Sequence, residues 1–213
     1  MTDDTLMANR HATRDFSDRP VDLTTLQAVL TEAQAAPSWE NTQPTKLYLA
    51  TGATAKRLRD SHLERNNHGQ KSWTEVMPPK NWADFPKANM DAWRENMLAF
   101  YGEDAPAFAG VQKNLFNAPA MVYLTLPKDS SHYSAYDAGA LGYGILLAAE
   151  KHGLGAVPAY ELVRYPAEIR QEFDIPEDQV IFMGIALGYA TDSKLNALRT
   201  VRRPLGDILQ IRD

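Results

Sequence analysis

The 213-residue sequence predicts an α+β domain. Two near-continuous apolar runs, AMVYLTL at residues 120–126 and VIFMGIALGY at residues 180–189, are typical of buried strands. Other segments repeat apolar residues at the spacing of an amphipathic helix. Strands and helices do not alternate regularly, which favours α+β over a doubly wound sheet. With no internal repeat or low-complexity linker, we predict one domain over residues 1–213.

The composition limits the classes of function. The chain is 44% hydrophobic and 23% charged, with a net charge of −5, which argues against a general surface for nucleic acid or acidic membranes. It has no cysteine, which removes disulfides, Cys-ligated metals and a thiol nucleophile. The start MTDDTLMANR does not resemble a signal peptide, and no run approaches the ~18 apolar residues of a membrane helix. We expect a cytoplasmic protein with no membrane or nucleic-acid partner.

The first third of the chain is predicted to hold three helices and one strand. Residues 3–9 form a short helix. Asp22 is a plausible N-cap for a second helix, which is predicted to stop at Pro37. Residues 46–51 then predict a strand, and residues 55–64 predict a helix.

Residues 66–110 differ in character from the rest of the chain. They contain three of the four tryptophans and prolines at 78, 79, 86 and 106, which indicates an irregular, partly helical, aromatic-rich insertion. One interpretation is a satellite core under a long loop. The other is a lid whose aromatic side chains form the wall of a pocket.

The second half is predicted to be strand, helix, helix, strand. The two strands are the apolar runs at 120–126 and 180–189. Residues 134–152 predict a helix that is buried nearly all round, and residues 166–173 predict a shorter helix. The tail is basic at first and then apolar.

Several familiar chemistries are not supported. GALGYG at residues 139–144 falls in the middle of a predicted helix, whereas a dinucleotide fingerprint joins a strand to a helix start. The five histidines lack the spacing of a metal site, and no serine has the surroundings of a hydrolase nucleophile. We therefore name no catalytic side chain and no metal ligand. If the protein is an enzyme, a bound cofactor is expected to carry the reaction.

Two arginine clusters and one polar loop are candidate binding groups. The first cluster holds Arg10 and Arg14, which would share a face in a helical turn, and the second lies at 199–203. They could be solvated surface charge, or they could converge on one anion, since the guanidinium fork suits phosphate. The loop APSWENTQPTK at 36–46 offers amides that match the alternating donors and acceptors of a heterocycle edge.

Five segments together resemble a known family. In chain order, RHATRDF, APSWENTQP, KNLFNAPAMVYL, DAGALGYGILLAAEKHGLG and ALRTVRRPL resemble the signatures of FMN-dependent nitroreductases. The match covers most of the chain, and its middle insertion and LRTVR ending are most similar to members described as nitrobenzoate or nitroaromatic reductases. The resemblance implies a nitroreductase-like fold with a central, mostly antiparallel sheet flanked by helices. It also implies an intertwined homodimer with one FMN in each of two interface pockets.

The resemblance also implies an activity and a set of contacts. NAD(P)H would transfer hydride to FMN and leave, and a nitroaromatic or similar flat acceptor would then enter the same space in a ping-pong order. Arg10, His11 and Arg202 would face the phosphate and ribityl chain. Arg14 would lie at the pyrimidine edge of the ring, and residues 158–160 would lie near N5. The implied cofactor contacts are Arg10, His11, Ala12, Arg14, Pro37, Ser38, Asn41, Gln43, Asn114, Pro158, Ala159, Tyr160, Arg199 and Arg202.

Two positions depart from the family pattern. Ala12 replaces the usual Ser or Thr, so its contact would be through the backbone, and Thr45 replaces a common Trp. Trp39 and Glu40 are candidate substrate contacts, although Trp39 could equally anchor the dimer interface. The sequence leaves open other flavin chemistry on the same fold, a non-catalytic flavin-binding protein, and a domain with no cofactor. It also names no group that would distinguish NADPH from NADH.

Overall fold

The centre of the protein is a four-stranded antiparallel sheet, seen in a computed structural model that describes residues 5–213. The strands are β1 (Lys46–Thr51), β2 (Ala120–Pro127), β3 (Gly155–Pro158) and β4 (Gln179–Gly188). Their order across the sheet is β1-β2-β4-β3, with each neighbouring pair antiparallel. The prediction of an α+β fold with an antiparallel sheet is confirmed.

Seven α-helices within residues 5–213 surround this sheet. They are α1 (Thr5–Asn9), α2 (Leu23–Ala33), α3 (Gly52–Asn67), α4 (Asp84–Tyr101), α5 (Ala105–Lys113), α6 (His132–Lys151) and α7 (Pro166–Glu172). The helices predicted from the sequence are present, with shifted ends. Of the first predicted helix, residues 3 and 4 lie outside the described residues. In the described part of the chain, no helix is both long enough and apolar enough to cross a bilayer.

Both faces of the sheet are covered, which explains the continuous apolar runs. Met121 and Tyr123 of β2 pack into a cluster with residues of α3 and α7. Val122 and Leu124 point to the opposite face and pack against residues of α2 and α6. A strand with two buried faces needs apolar residues at successive positions, so the alternation of a half-exposed strand is absent.

One local prediction was wrong, and one short strand was not predicted. α2 ends at Ala33 and is followed by a turn, so the helix stops several residues before Pro37. Strand β3 was not predicted, since it has only four residues and is defined by its pairing with β4. Beside β3 runs the N-terminal arm, where the Thr13 amide donates to the Ala156 carbonyl at 3.1 Å.

The segment 66–110 is more helical than predicted, because it contains α4 and most of α5. The end of α4 forms a satellite core with the tail: Tyr101 is fully buried against Leu195 and Leu198, and its hydroxyl donates to the Leu195 carbonyl at 3.0 Å. Trp73 and Trp82, nearer the start of the segment, are exposed. The insertion is thus attached to the segment that carries the second arginine cluster.

Candidate functional site

Four arginines from the two ends of the described chain line one cleft of about 650 Å³. We call it the arginine cleft, and its lining residues are Met7, Ala8, Arg10, His11, Ala12, Arg14, Tyr143, Leu198, Arg199, Thr200 and Arg202. The two clusters therefore converge, as expected for a site that binds an anion. They do so without a helical turn at the first cluster, because α1 ends at Asn9 and Ala12 forms a bridge with Ala156.

Arg14 is a fixed, buried cation in this cleft. Arg14 is only 8% exposed, and its Nη1 donates to the Ala12 carbonyl at 3.1 Å. Burial lowers the pKa of Arg14, an effect that the neighbouring Tyr101 hydroxyl partly offsets. A guanidinium nevertheless stays protonated in proteins, so Arg14 brings a positive charge into a poorly solvated position.

The other arginines of the cleft differ in how they are held. Arg199 Nη1 donates to the Asn196 carbonyl at 2.8 Å, and Arg202 Nη1 donates to the Thr200 hydroxyl at 2.7 Å. By contrast, Arg10 Nε is buried and has no hydrogen-bond partner among residues 5–213. A buried charged donor without a partner is costly, so this group is expected to meet an acceptor supplied by a ligand.

A polar network fixes the backbone beneath the cleft. The Asn196 side-chain oxygen accepts from the Arg14 amide at 2.7 Å and from the Asp15 amide at 3.0 Å. The Asn196 amide group donates to the Asp15 carbonyl at 2.8 Å and to the Thr191 carbonyl at 2.9 Å. Asn196 therefore joins the N-terminal arm to the tail. The sequence analysis missed it, since nothing in the local pattern distinguishes it from a loop residue.

The polar loop 36–46 is shaped by its own side chains. Ser38 Oγ accepts from the Gln43 amide at 3.0 Å, and Gln43 Nε2 donates to Asn41 Oδ1 at 3.1 Å. Glu40, Asn41 and Gln43 all have positive φ, at 47°, 58° and 44°. Left-handed backbone at three non-glycine residues is unusual and is often found at binding sites.

The loop borders a second cleft, of about 310 Å³, which includes Pro37, Ser38 and Gln43. Its floor includes Asp137 of α6, a buried residue whose carboxylate accepts from the Trp39 amide at 3.1 Å. The sequence analysis missed Asp137 as well. An acidic residue within a helix predicted to be buried nearly all round was the signal that could have found it.

The candidate substrate contacts lie at the turn Trp39–Asn41. The Trp39 ring is exposed and lies 4.9 Å from the Tyr133 ring, centroid to centroid. Glu40 is also exposed. Within one chain, neither residue lines the arginine cleft.

The remaining predicted contacts also lie outside the arginine cleft. Asn114 Nδ2 donates to Asn117 Oδ1 at 2.7 Å, next to three consecutive residues, Leu115–Asn117, with positive φ. Pro158 ends β3, and the Ala159 amide donates to the Gly184 carbonyl at 3.1 Å. Tyr160 is exposed and begins a short helical turn, Tyr160–Val163, whose last two residues are buried. One chain thus brings Arg10, His11, Ala12, Arg14, Arg199 and Arg202 together, and leaves the loop residues, Asn114 and residues 158–160 apart from them.

The fold and the arginine cleft define an α+β protein in which four arginines from distant segments line one cleft. The model of the nitroreductase family matches residues 7–189 of this chain, and the chain belongs to that family. Among curated relatives, the nitrobenzene nitroreductase of Ectopseudomonas oleovorans is 26% identical over 89% of this chain and 87% of the relative. The 4-nitrobenzoate reductase of Pseudomonas putida is 28% identical over 93% of this chain and 90% of the relative.

Solved structures agree with this assignment. The FMN and NADPH-dependent nitroreductase NfnB from Sphigopyxis sp. strain HMH superposes with a TM-score of 0.89 and 25% identity, covering 100% of both chains. The FMN-dependent nitroreductase NfnB from Mycobacterium smegmatis, solved in complex with NADPH, has a TM-score of 0.90 at 23% identity. That alignment covers 99% of this chain and 97% of the other, and it supports the fold.

Proposed function

We propose that this protein is an FMN-dependent oxidoreductase that uses NAD(P)H to reduce nitroaromatic compounds or similar flat acceptors. Family membership and the named relatives support this activity. The observation from the molecule itself that carries the proposal is the arginine cleft. In it, Arg14 is a buried cation, and Arg10 Nε is buried with no hydrogen-bond partner in the described part of the chain. Both features call for a bound anion.

The residues of this cleft fit FMN. Its phosphate carries negative charge and accepts several hydrogen bonds, which suits Arg10, His11 and Arg202 in the lining of the cleft. Arg14 is better buried and suits the pyrimidine edge of the ring, where negative charge on the reduced flavin would be stabilised by a nearby cation in a poorly solvated site. We assign Arg199 to the same cleft as a helper to Arg202.

FMN would supply the hydride-accepting and hydride-donating ring, and the chain supplies the surroundings. Arg14 would stabilise negative charge at the pyrimidine edge, because its guanidinium is held in place by the Ala12 carbonyl and is largely buried. By the family resemblance, the backbone at Ala12 and residues 158–160 would contact the ring, and no side chain has to act as a nucleophile. The expected kinetics are ping-pong. Evidence that the donor and acceptor must bind together would contradict this order.

We further propose that two copies of the chain complete each site. In one chain the polar loop residues Pro37, Ser38, Asn41 and Gln43 lie away from the arginine cleft, so a second copy would have to bring them to it. The exposed side chains of Trp39, in the loop, and Tyr133, which packs against it, would be covered by such an interface. Light scattering after size-exclusion chromatography should give twice the chain's mass of 23.8 kDa. We also propose that the protein acts in the cytoplasm, which cell fractionation would test.

The first test is the visible spectrum of the purified protein, followed by anaerobic addition of NADPH. We expect a yellow protein that bleaches and recovers its colour with a nitroaromatic acceptor. A protein that stays colourless after FMN is supplied would contradict the proposal. A protein that holds FMN but is not reduced by NADPH or NADH would be a flavin-binding protein without this activity.

Replacing Arg14 tests the proposed site directly. We expect Arg14→Ala to weaken FMN binding or slow flavin reduction at least tenfold, which corresponds to a loss of about 1.4 kcal/mol. Arg19→Ala is the control, because Arg19 lies outside the cleft over the Tyr189 ring, 3.8 Å from its centroid. Its loss should cost about 0.5–1 kcal/mol of stability and leave FMN binding unchanged. Equal effects of the two substitutions on FMN would count against the assignment.

A further inference from the structure

A second basic cleft adjoins the arginine cleft. It has a volume of about 510 Å³ and lies between α4 and the tail segment 198–207. We call it the tail cleft. The two clefts share the lining residues Leu198, Arg199, Thr200 and Arg202, so they lie next to each other.

The tail cleft is positively charged. Three guanidinium groups line it, those of Arg199, Arg202 and Arg203, against the single carboxylate of Asp207. The chain as a whole has a net charge of −5, so this concentration of positive charge is local. Guanidinium groups at the wall of a cleft favour a phosphate or carboxylate as the ligand.

Arg203 is positioned but not neutralised. Its guanidinium lies over the Phe85 ring, 4.3 Å from the centroid, which holds the planar group in place. Its ion pair with Asp207 is long, at 3.4 Å between Nε and Oδ2, and its side chain is 38% exposed. An exposed ion pair of this kind contributes little, so the charge of Arg203 is available to a ligand.

Helix α4 supplies a flat apolar surface and two amides to the same cleft. Trp93 is 37% exposed and lines it together with Asn89 and Asn96. These asparagines are four residues before and three residues after Trp93, so all three lie on one face of the helix. An indole ring can stack a heterocycle, and amides can bind its edge. The cleft therefore combines groups suited to a purine with groups suited to a phosphate.

We propose that the tail cleft binds the adenosine end of NADPH and that Arg203 contacts its 2′-phosphate. The inference rests on the proposed function, which places the other end of the nicotinamide nucleotide at the flavin. Arg203 would then be the group that distinguishes NADPH from NADH, which the sequence analysis did not identify. It predicts a preference for NADPH over NADH.

The kinetic test compares the two donors in Arg203→Gln. We expect KM for NADPH to rise about tenfold, since a charged hydrogen bond is lost, while KM for NADH stays within about twofold. Arg203→Lys should retain part of the preference. The matched control is Arg94→Gln, because Arg94 is on the same helix as Trp93, pairs with Asp91 at 3.4 Å, and does not line the cleft. Equal changes for both donors in Arg203→Gln would overturn the proposal.

A binding test needs no turnover. FMN-loaded protein is titrated calorimetrically with adenosine 2′,5′-bisphosphate and with adenosine 5′-monophosphate. We expect the bisphosphate to bind more tightly to the wild type, Arg203→Gln to remove most of that difference, and Trp93→Leu to weaken both nucleotides. Equal binding of the two nucleotides by the wild type would overturn the proposal.

The anion that the tail cleft binds could instead belong to the electron acceptor, as the carboxylate of a nitrobenzoate. If Arg203→Gln raises KM for 4-nitrobenzoate but leaves KM for NADPH unchanged, the cleft binds an acceptor carboxylate and the proposal is wrong. Failure of the proposed function would give a different result, because neither NADPH nor NADH would then reduce the flavin of the wild-type protein. The calorimetric titration would still show whether the tail cleft prefers a nucleotide with a 2′-phosphate.

Discussion

Replacing Asn196 with alanine should destabilise the protein far more than the loss of a typical loop side chain. Its amide joins four main-chain groups at distances of 2.7 to 3.0 Å: the amides of Arg14 and Asp15 and the carbonyls of Asp15 and Thr191. The residue is only 7% exposed, so water does not readily take its place. Four polar groups would lose a partner in one substitution.

The expected size follows from these contacts. A buried polar group left without a partner costs about 1–3 kcal/mol, and a net hydrogen bond contributes about 1 kcal/mol. The two carbonyls can accept from elsewhere more easily than the two amides can find new acceptors, so we expect a total loss of about 4 kcal/mol. For a domain of this size, that lowers Tm by about 8–16 °C.

Thermal and urea unfolding of the FMN-free protein, followed by circular dichroism, measures this loss. The control is Asn67→Ala, which removes an exposed amide at the end of α3 and should change stability by less than about 0.5 kcal/mol. FMN affinity should also fall in Asn196→Ala, because the Arg14 backbone loses its anchor. If the two variants unfold alike, Asn196 does not hold the arm to the tail.

Two further substitutions test other contacts. Gly155→Ala would place a methyl group 2.3 Å from Thr13 Oγ1, where the arm crosses β3, so we expect a loss of about 1–3 kcal/mol by urea unfolding; unchanged stability would show that the arm can move away. Burial raises the pKa of Glu75, but hydrogen bonds from Arg170 and the Ile181 amide outweigh burial and leave the pKa lowered. The resulting stability is present above the unfolded pKa of about 4.3 and is lost as pH falls through the lower folded pKa. Glu75→Gln should therefore lower the free energy of unfolding by about 2 kcal/mol at neutral pH and weaken the dependence of stability on pH below about pH 5. An unchanged dependence on pH in that range would contradict this.

The long elements could be predicted because their signals are local. β2 and β4 are apolar over most of their length, and α6 carries apolar residues on nearly every side. β3 could not be predicted, since four residues carry little periodicity and its partner β4 lies more than 20 residues away in sequence. The end of α2 at Ala33 was missed because proline marks the latest possible end of a helix and not its actual end.

The candidate site was predictable in its chemistry but not in its assembly. Arginine clusters in an acidic chain indicate an anion site, and the family motifs name the residues. The helical turn expected to align Arg10 with Arg14 is absent, and the two residues meet in the cleft by an extended path. Asp137 and Asn196 were missed, because their roles depend on the loop and the arm that they hold.

The sequence by itself determined the order of the elements, the family and the kinds of side chain available for binding, because these depend on residues within a few positions of each other. The tertiary structure decided which charges meet. It brought Arg10 and Arg202, which are far apart in sequence, to one cleft, and it left Arg10 Nε buried with no partner among residues 5–213. It also placed Arg203 and Trp93 in the lining of a neighbouring cleft. Burial and convergence are set by contacts between distant segments, and no local periodicity records them.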